Sequence, residues 1–207
     1  MSEILPGLFH FESEEVAPRP PTFVAVRSGG NYVFGNGHGL SDDQLTTIGE
    51  LGEVKAVLIG DRHHGKVPSP IAARFDVPLC CSQEEAKVMK RNKVNIDEVV
   101  PFERHDYAND LEVIPTPGHT PGALSYLWRS GRNRILFVGD TIVPVDDEWK
   151  VWVSARNSQT MRDTMTMLAD TTFNYLVCGS FAAPEKLVKM TSPVKARMHA
   201  DVEAALK

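Results

Sequence analysis

Four side chains in three segments have the chemistry of metal ligands. Asp61 and His63 lie in the segment IGDRHHGK, His119 lies in PTPGHTPG, and Asp140 ends the segment ILFVGD. Each of these segments follows an apolar run that is typical of a strand. Imidazole nitrogens and carboxylate oxygens together bind first-row metals such as Zn, Mn and Fe. Side chains of these types are candidates for metal binding, and Asp140 taken alone is equally consistent with a turn cap.

The spacing within two of these segments favours a defined presentation of the ligands. Three prolines and two glycines surround His119, and they predict a stiff, bent loop that presents one imidazole. Asp61 and His63 are two residues apart, so in an extended segment their side chains point the same way. His64 is then out of phase. It is either structural or swings into the site because Gly65 loosens the loop.

The elements that must position these segments alternate only partly between strands and helices. This order is typical of a mixed sheet covered by helices. Capping-box patterns begin two of the predicted helices, at SDDQ and SQEE. Strands are predicted over Thr22–Arg27, Asn31–Phe34, Val54–Ile59, Leu111–Ile114, Leu124–Trp128, Arg134–Val138 and Tyr175–Cys178, and helices over Ser41–Leu51, from Ser82 toward Arg91, over Ser158–Ala169, from Pro184, and from Pro193 to the end.

Three segments together resemble those of the metallo-β-lactamase-fold hydrolases, and the resemblance extends over about residues 31–181. The segments are PTPGHTPG, GDT at Gly139–Thr141, and the loop IGDRHHGK. The resemblance implies an α+β fold, a four-layer αββα sandwich, with residues 1–207 as a single domain. It also implies that His119 is a metal ligand and that Asp140 binds one metal or bridges two. The fold alone does not determine the substrate.

The same resemblance implies that this chain lacks part of the family's ligand set. Against the family pattern THxHxDH, Asp61 takes the place of the first histidine and His63 matches the second. Gly65 replaces the aspartate and Lys66 replaces the last histidine. Ser180 stands where a fourth segment has its histidine.

These replacements predict one metal position and exclude a second one. Asp61, His63, His119 and Asp140 would hold one divalent ion, with Zn favoured and Mn or Fe as alternatives. Two carboxylates neutralise such an ion, so we expect weaker activation of water than three histidines provide. Lys66 either supplies a positive charge near the vacant second position or is a solvated surface lysine.

Two functions are consistent with this pattern. The first is a metal-dependent hydrolase of a small-molecule substrate, in which metal-activated water attacks an ester, thioester or amide-like bond. Lys66 and His64 are its candidate catalytic residues. The second is a catalytically inactive protein of the same fold that binds no metal and serves as a ligand- or partner-binding module. Redox chemistry at a 2-His-carboxylate iron site is a further alternative.

Composition and the distribution of apolar residues indicate which partners and cellular location to expect. The net charge of -5 over 207 residues argues against nucleic-acid binding. The first residues have neither the basic start nor the apolar core of a signal peptide, and no apolar run reaches the length of a membrane span. We therefore expect a cytoplasmic protein without a membrane partner. Trp149 and Trp152, in the predicted loop Thr141–Val153, either line a pocket mouth or pack.

Overall fold

A computed structural model describes residues 1–146 and 148–207, which divide into two compact units, 1–101 and 102–207. Each unit is built from one main sheet and the helices packed on it. The prediction of a single domain over 1–207 stays a prediction. Among the described residues, every helix is too short or too polar to cross a lipid bilayer.

The sheet of the first unit combines antiparallel and parallel pairing. Within residues 1–101 it has seven strands in sequential order, antiparallel from β1 to β4 and parallel from β4 to β7. Parallel neighbours need crossover connections, and helices supply them here. The strands are β1 (Ser2–Leu5), β2 (Leu8–Phe11), β3 (Thr22–Ala25), β4 (Asn31–Phe34), β5 (Val54–Leu58), β6 (Leu79–Ser82) and β7 (Glu98–Val100).

Three helices of the first unit, α1 (Asp42–Glu50), α2 (Pro70–Phe75) and α3 (Gln83–Arg91), connect the parallel strands. Their apolar residues share one buried cluster with residues of β3 to β6, among them Leu79 and Cys81, which point to the same face of the sheet, so the helices pack on that face. Ser41 begins α1 with both hydrogen bonds of a capping box. At α3, Ser82 caps the helix, but the side chain of Glu85 is directed elsewhere.

The second unit contains a six-stranded sheet in the described residues 102–146 and 148–207, in the order β15-β14-β11-β10-β9-β8. Strands β8 to β11 are successively antiparallel, whereas β11 and β14 are parallel. The strands are β8 (His105–Ala108), β9 (Leu111–Pro115), β10 (Leu124–Ser130), β11 (Asn133–Phe137), β14 (Tyr175–Val177) and β15 (Leu187–Lys189). The carboxyl ends of β9, β11 and β14 consequently lie at one edge of the sheet.

Two helices and a separate strand pair complete the second unit. Helices α4 (Ser158–Ala169) and α5 (Ser192–Ala205) bury their apolar residues in one core with the sheet. Strands β12 (Val143–Val145) and β13 (Glu148–Lys150) pair with each other. The backbone N–H of Trp149 in β13 donates to Asp201 of α5 at 3.0 Å, which fixes the strand pair to that helix.

Most predicted elements form within one or two residues of their expected bounds, and α4 and β4 match theirs. The prediction of a helix from Pro184 is wrong. The chain there forms β15, which pairs antiparallel with β14, so strand pairing replaces the local helical tendency of a proline start. Cys80 and Cys81 are the two central residues of β6, and both are buried.

Candidate metal site

The loop after β5 turns into a short 3-10 helix, Arg62–Gly65. Asp61 precedes it in extended conformation and caps it, because Asp61 Oδ1 accepts the backbone N–H of His63 at 2.8 Å. The prediction of an extended segment through His63 is therefore wrong. A side-chain cap followed by a helical turn now explains why Asp61 and His63 approach each other.

Asp61 is almost fully buried, and both neighbouring histidines face it. Its Oδ1 lies 3.3 Å from Nδ1 of His63, and its Oδ2 lies 3.9 Å from Nδ1 of His64. The His63 side chain is 37% exposed, whereas that of His64 is only 5% exposed. His63 is thus the more accessible imidazole, and the burial of His64 favours its structural interpretation. Its catalytic role stays a prediction.

The two residues that end this loop have different surroundings. Lys66 is exposed, and its catalytic role also stays a prediction. Gly65 is buried against α3, where a Cβ at this position would lie 2.0 Å from the terminal methyl of Met89 and 2.9 Å from its sulfur. Met89 is itself fully buried. The packing therefore occupies the space that a side chain at position 65 would need.

The His119 loop connects β9 and β10 and is anchored by α4. Thr164 Oγ1 donates to the carbonyl of Pro117 at 2.6 Å, and Asn157 Nδ2 donates to the carbonyl of Gly118 at 3.3 Å. Gly118 has a φ of +143°, and a Cβ there would lie 3.2 Å from Cα of Met161. The stiff loop expected from its prolines and glycines is thus also held from outside by the first turns of a helix.

A backbone carbonyl orients the ring of His119. Its Nδ1 lies 2.7 Å from the carbonyl oxygen of Trp152. A carbonyl oxygen only accepts, so Nδ1 carries the proton, and in the neutral imidazole Nε2 carries the lone pair. Nε2 lies 3.9 Å from Oδ2 of Asp140. Histidines that bind metals are commonly fixed in this way by a bond from the other ring nitrogen.

Asp140 follows β11 at the same sheet edge as the His119 loop. The preceding Gly139 has a φ of +55°, and its carbonyl accepts the N–H of Gly179, just after the parallel strand β14. The end of β14 therefore supports the turn that presents Asp140. Ser180 is buried, and its Oγ accepts the N–H of Ala182 at 3.3 Å.

The two tryptophans of the predicted loop Thr141–Val153 differ in environment; of this loop, Asp147 lies outside the described residues. Trp149 is 3% exposed and belongs to the core of the second unit. Trp152 is 45% exposed. Packing therefore accounts for Trp149. Trp152 holds His119 through its carbonyl, a role that residue type alone does not encode.

One donor atom from each of four residues lies within 4.8 Å of the other three, and these residues are Asp61, His63, His119 and Asp140. Donors that share one zinc ion are at most about 4.4 Å apart, since Zn–N and Zn–O bonds measure about 2.0–2.2 Å. The group therefore needs only a small adjustment to surround one ion. Two imidazoles and two carboxylates fit a divalent metal, and this cluster could hold one.

Comparison with known proteins gives structural likeness alone. No protein-family model matches the chain, and no curated protein matches it in sequence. Among solved structures, the metallo-β-lactamase MIM-2 is 21% identical with a TM-score of 0.65, and the match covers 90% of this chain and 82% of that one.

Two further metallo-β-lactamases match nearly the whole chain. One from Cronobacter sakazakii, described by its HARLDQ motif, is 16% identical with a TM-score of 0.68, covering 98% of this chain and 90% of that one. DIM-1, exposed to ceftazidime, is 12% identical with a TM-score of 0.72, covering 99% and 96%. The predicted fold is thereby confirmed: the chain has the metallo-β-lactamase fold, a four-layer αββα sandwich with two sheets.

Proposed function

We propose that this protein is a metal-dependent hydrolase that holds one divalent ion, with zinc favoured over manganese or iron. The observation that carries the proposal is the convergence of Asp61, His63, His119 and Asp140, each with one donor atom within 4.8 Å of the others. The fold supports it, since the similar solved structures are named metallo-β-lactamases.

The residues of this chain have distinct parts in that chemistry. Asp61, His63, His119 and Asp140 would hold the ion, which when bound activates water and polarises the scissile bond. Because the Trp152 carbonyl accepts the proton on Nδ1 of His119 in a hydrogen bond, the lone pair on Nε2 is available to bind the metal. The substrate class is a small molecule with an ester, thioester or amide-like bond, and the β-lactam amide belongs to that class.

The packing around the loop supports a single ion. Gly65 offers no donor atom, and Met89 fills the adjacent space. The Ser180 hydroxyl accepts a hydrogen bond within its own turn. The same observations are also consistent with the second candidate, an inactive binding protein of this fold. They leave only four candidate ligands and no second metal position to assist catalysis.

Metal analysis separates the two candidates. The untagged protein, purified without chelator and dialysed against Zn²⁺, Mn²⁺ or Fe²⁺, is analysed for bound metal beside His119→Ala and the control His105→Ala, whose imidazole lies outside the cluster. We expect about one ion per chain in the wild type and the control, and its loss in His119→Ala. Chelator-sensitive turnover of ester, thioester or lactam substrates would then support hydrolysis. A wild type that takes up no metal would contradict the hydrolase and favour the binding protein.

A further inference from the structure

A buried carboxylate on α3 contacts the residue between the two ligands of the first loop. Glu85 is fully buried, and its Oε2 accepts the Nε–H of Arg62 at 2.6 Å while its Oε1 accepts an Nη2–H at 2.8 Å. This is a bidentate pair, the geometry in which arginine binds a carboxylate most specifically. The hydrogen bonds that Arg62 donates to Glu85 are also the main reason that the pKa of Arg62 is raised, so the guanidinium stays charged.

Glu85 also holds the backbone of the loop. Its Oε2 accepts the N–H of Arg62 at 2.9 Å. The next two amides are bonded to Asp61: the N–H of His63 to the side chain at 2.8 Å, and the N–H of His64 to the carbonyl at 3.1 Å. Three consecutive amides therefore have acceptors, and the first acceptor is the only one of the three that comes from outside the loop.

A second contact from the same face of α3 reinforces this arrangement. Met89 lies four residues after Glu85, so the two side chains point the same way along the helix. Met89 packs against Gly65 at the far end of the loop. One helix face thus fixes the loop at Arg62 by charge-assisted hydrogen bonds and at Gly65 by close packing.

Stability alone is a weak reason for such a pair. Removing the Glu85 carboxylate from water has a desolvation cost, and apolar replacements of buried ion pairs are often as stable. A bidentate pair does, however, restrict the geometry of the groups that it joins. Here it joins α3 to the residue between Asp61 and His63.

We propose that Glu85 and Arg62 are a positioning pair that holds Asp61 and His63 in the arrangement required to bind the metal. The proposal rests on the proposed function for the metal, whereas the conformation of the loop can be measured without it. Neither residue is proposed to touch the substrate. Their effect is exerted through the two ligands.

The test compares Glu85→Gln with the matched control Glu84→Gln, whose carboxylate is half-exposed and pairs with Lys87. Gln keeps the shape of the side chain and removes its charge. Co²⁺ affinity is measured by titration, and the visible spectrum of bound Co²⁺ reports the ligand arrangement. We expect Glu85→Gln to weaken Co²⁺ binding by about 10- to 100-fold and to change the spectrum. We expect Glu84→Gln to match the wild type.

A merely structural role gives a different result. Glu85→Gln would then lower the unfolding temperature while leaving the Co²⁺ affinity and spectrum of the folded protein unchanged, and that result would overturn the proposal. If Glu85→Gln does not fold, Arg62→Lys replaces it. Lysine keeps the charge but loses the bidentate geometry, so a smaller loss of affinity is expected.

Hydrogen exchange separates this proposal from the proposed function. If the wild type binds no metal, the proposed function fails. The loop is then judged from its amides at Arg62, His63 and His64 in the metal-free protein. We expect faster exchange in Glu85→Gln than in Glu84→Gln. Equal exchange in the two variants would contradict a positioning role.

Discussion

Asp61 combines two roles in one side chain, and they can be separated by substitution. Its Oδ1 caps the 3-10 helix through the N–H of His63, and the same carboxylate belongs to the candidate metal cluster. A residue that only capped a helix would not need a charge, since asparagine caps helices equally well. The choice between aspartate and asparagine at position 61 therefore distinguishes a ligand from a cap.

We predict that Asp61→Asn weakens metal binding by at least about ten-fold while changing the free energy of unfolding little, because the amide oxygen still accepts the N–H of His63. Asp61→Ala is expected to lose about 1 kcal/mol of stability in addition, the usual value of a lost cap. Calorimetric metal titration and urea unfolding measure the two effects. Unchanged metal affinity in Asp61→Asn would leave Asp61 only its capping role.

At the scale of elements, α4 is the support of the His119 loop. Thr164 of α4 donates to the carbonyl of Pro117, Asn157 just before α4 donates to the carbonyl of Gly118, and a Cβ at Gly118 would lie 3.2 Å from Cα of Met161. The helix therefore supports the loop, and we expect a change at their contact to alter the position of His119.

We predict that Gly118→Ala lowers the free energy of unfolding by about 2 kcal/mol, through its positive φ and the close contact with Met161. Metal affinity should fall in the same variant. Gly29→Ala is the control, because a Cβ there has open space, and its effect should stay within about 0.5 kcal/mol. Denaturant unfolding measures the free energy of unfolding of the two variants. Similar values for Gly118→Ala and Gly29→Ala would show that α4 does not constrain the loop.

The elements that sequence predicts well carry their signals locally. Ser41 and Gln44 form the expected capping box of α1, and the apolar spacing of α4 matches its helix. Strand β15 depends instead on its pairing with β14, and β12 and β13 depend on each other, so the pattern within each short segment does not indicate a strand. The helix predicted from Pro184 failed for the same reason.

For the candidate site, residue types and resemblance name four candidate ligands, but they do not give the geometry. One donor atom of each of these residues lies within 4.8 Å of the others, and their role as ligands stays a prediction. The sequence prediction does not include the 3-10 turn that Asp61 caps, nor the contact of its first residue, Arg62, with Glu85, 23 residues further along the chain than Arg62. The carbonyl of Trp152 was missed because every residue has one, and only the fold decides which carbonyl meets His119.

At the scale of the whole molecule, the buried thiol of Cys81 makes the free energy of unfolding decrease at alkaline pH. Burial, followed by the charge of Glu85 and the neighbouring Cys80, raises the pKa of Cys81 from 9.0 to about 12. Above pH 9 the unfolded chain loses this proton while the folded chain keeps it. The contribution of Cys81 to stability is therefore fully present below pH 9 and is lost as the pH rises toward 12.

We predict that the free energy of unfolding of the wild type falls by about 1 kcal/mol more than that of Cys81→Ala between pH 9 and pH 10. The comparison removes the contribution of lysines and tyrosines, which titrate in both proteins. Urea unfolding at the two pH values measures it. An equal pH dependence in wild type and Cys81→Ala would contradict the raised pKa.

The contact between Gly65 and Met89 has an evolutionary consequence. A side chain gained at position 65 must displace a fully buried methionine methyl, so the acceptability of a mutation at 65 depends on which residue occupies 89. We therefore expect the two positions to be epistatic, with a side chain at 65 better tolerated beside a smaller residue at 89 than beside methionine.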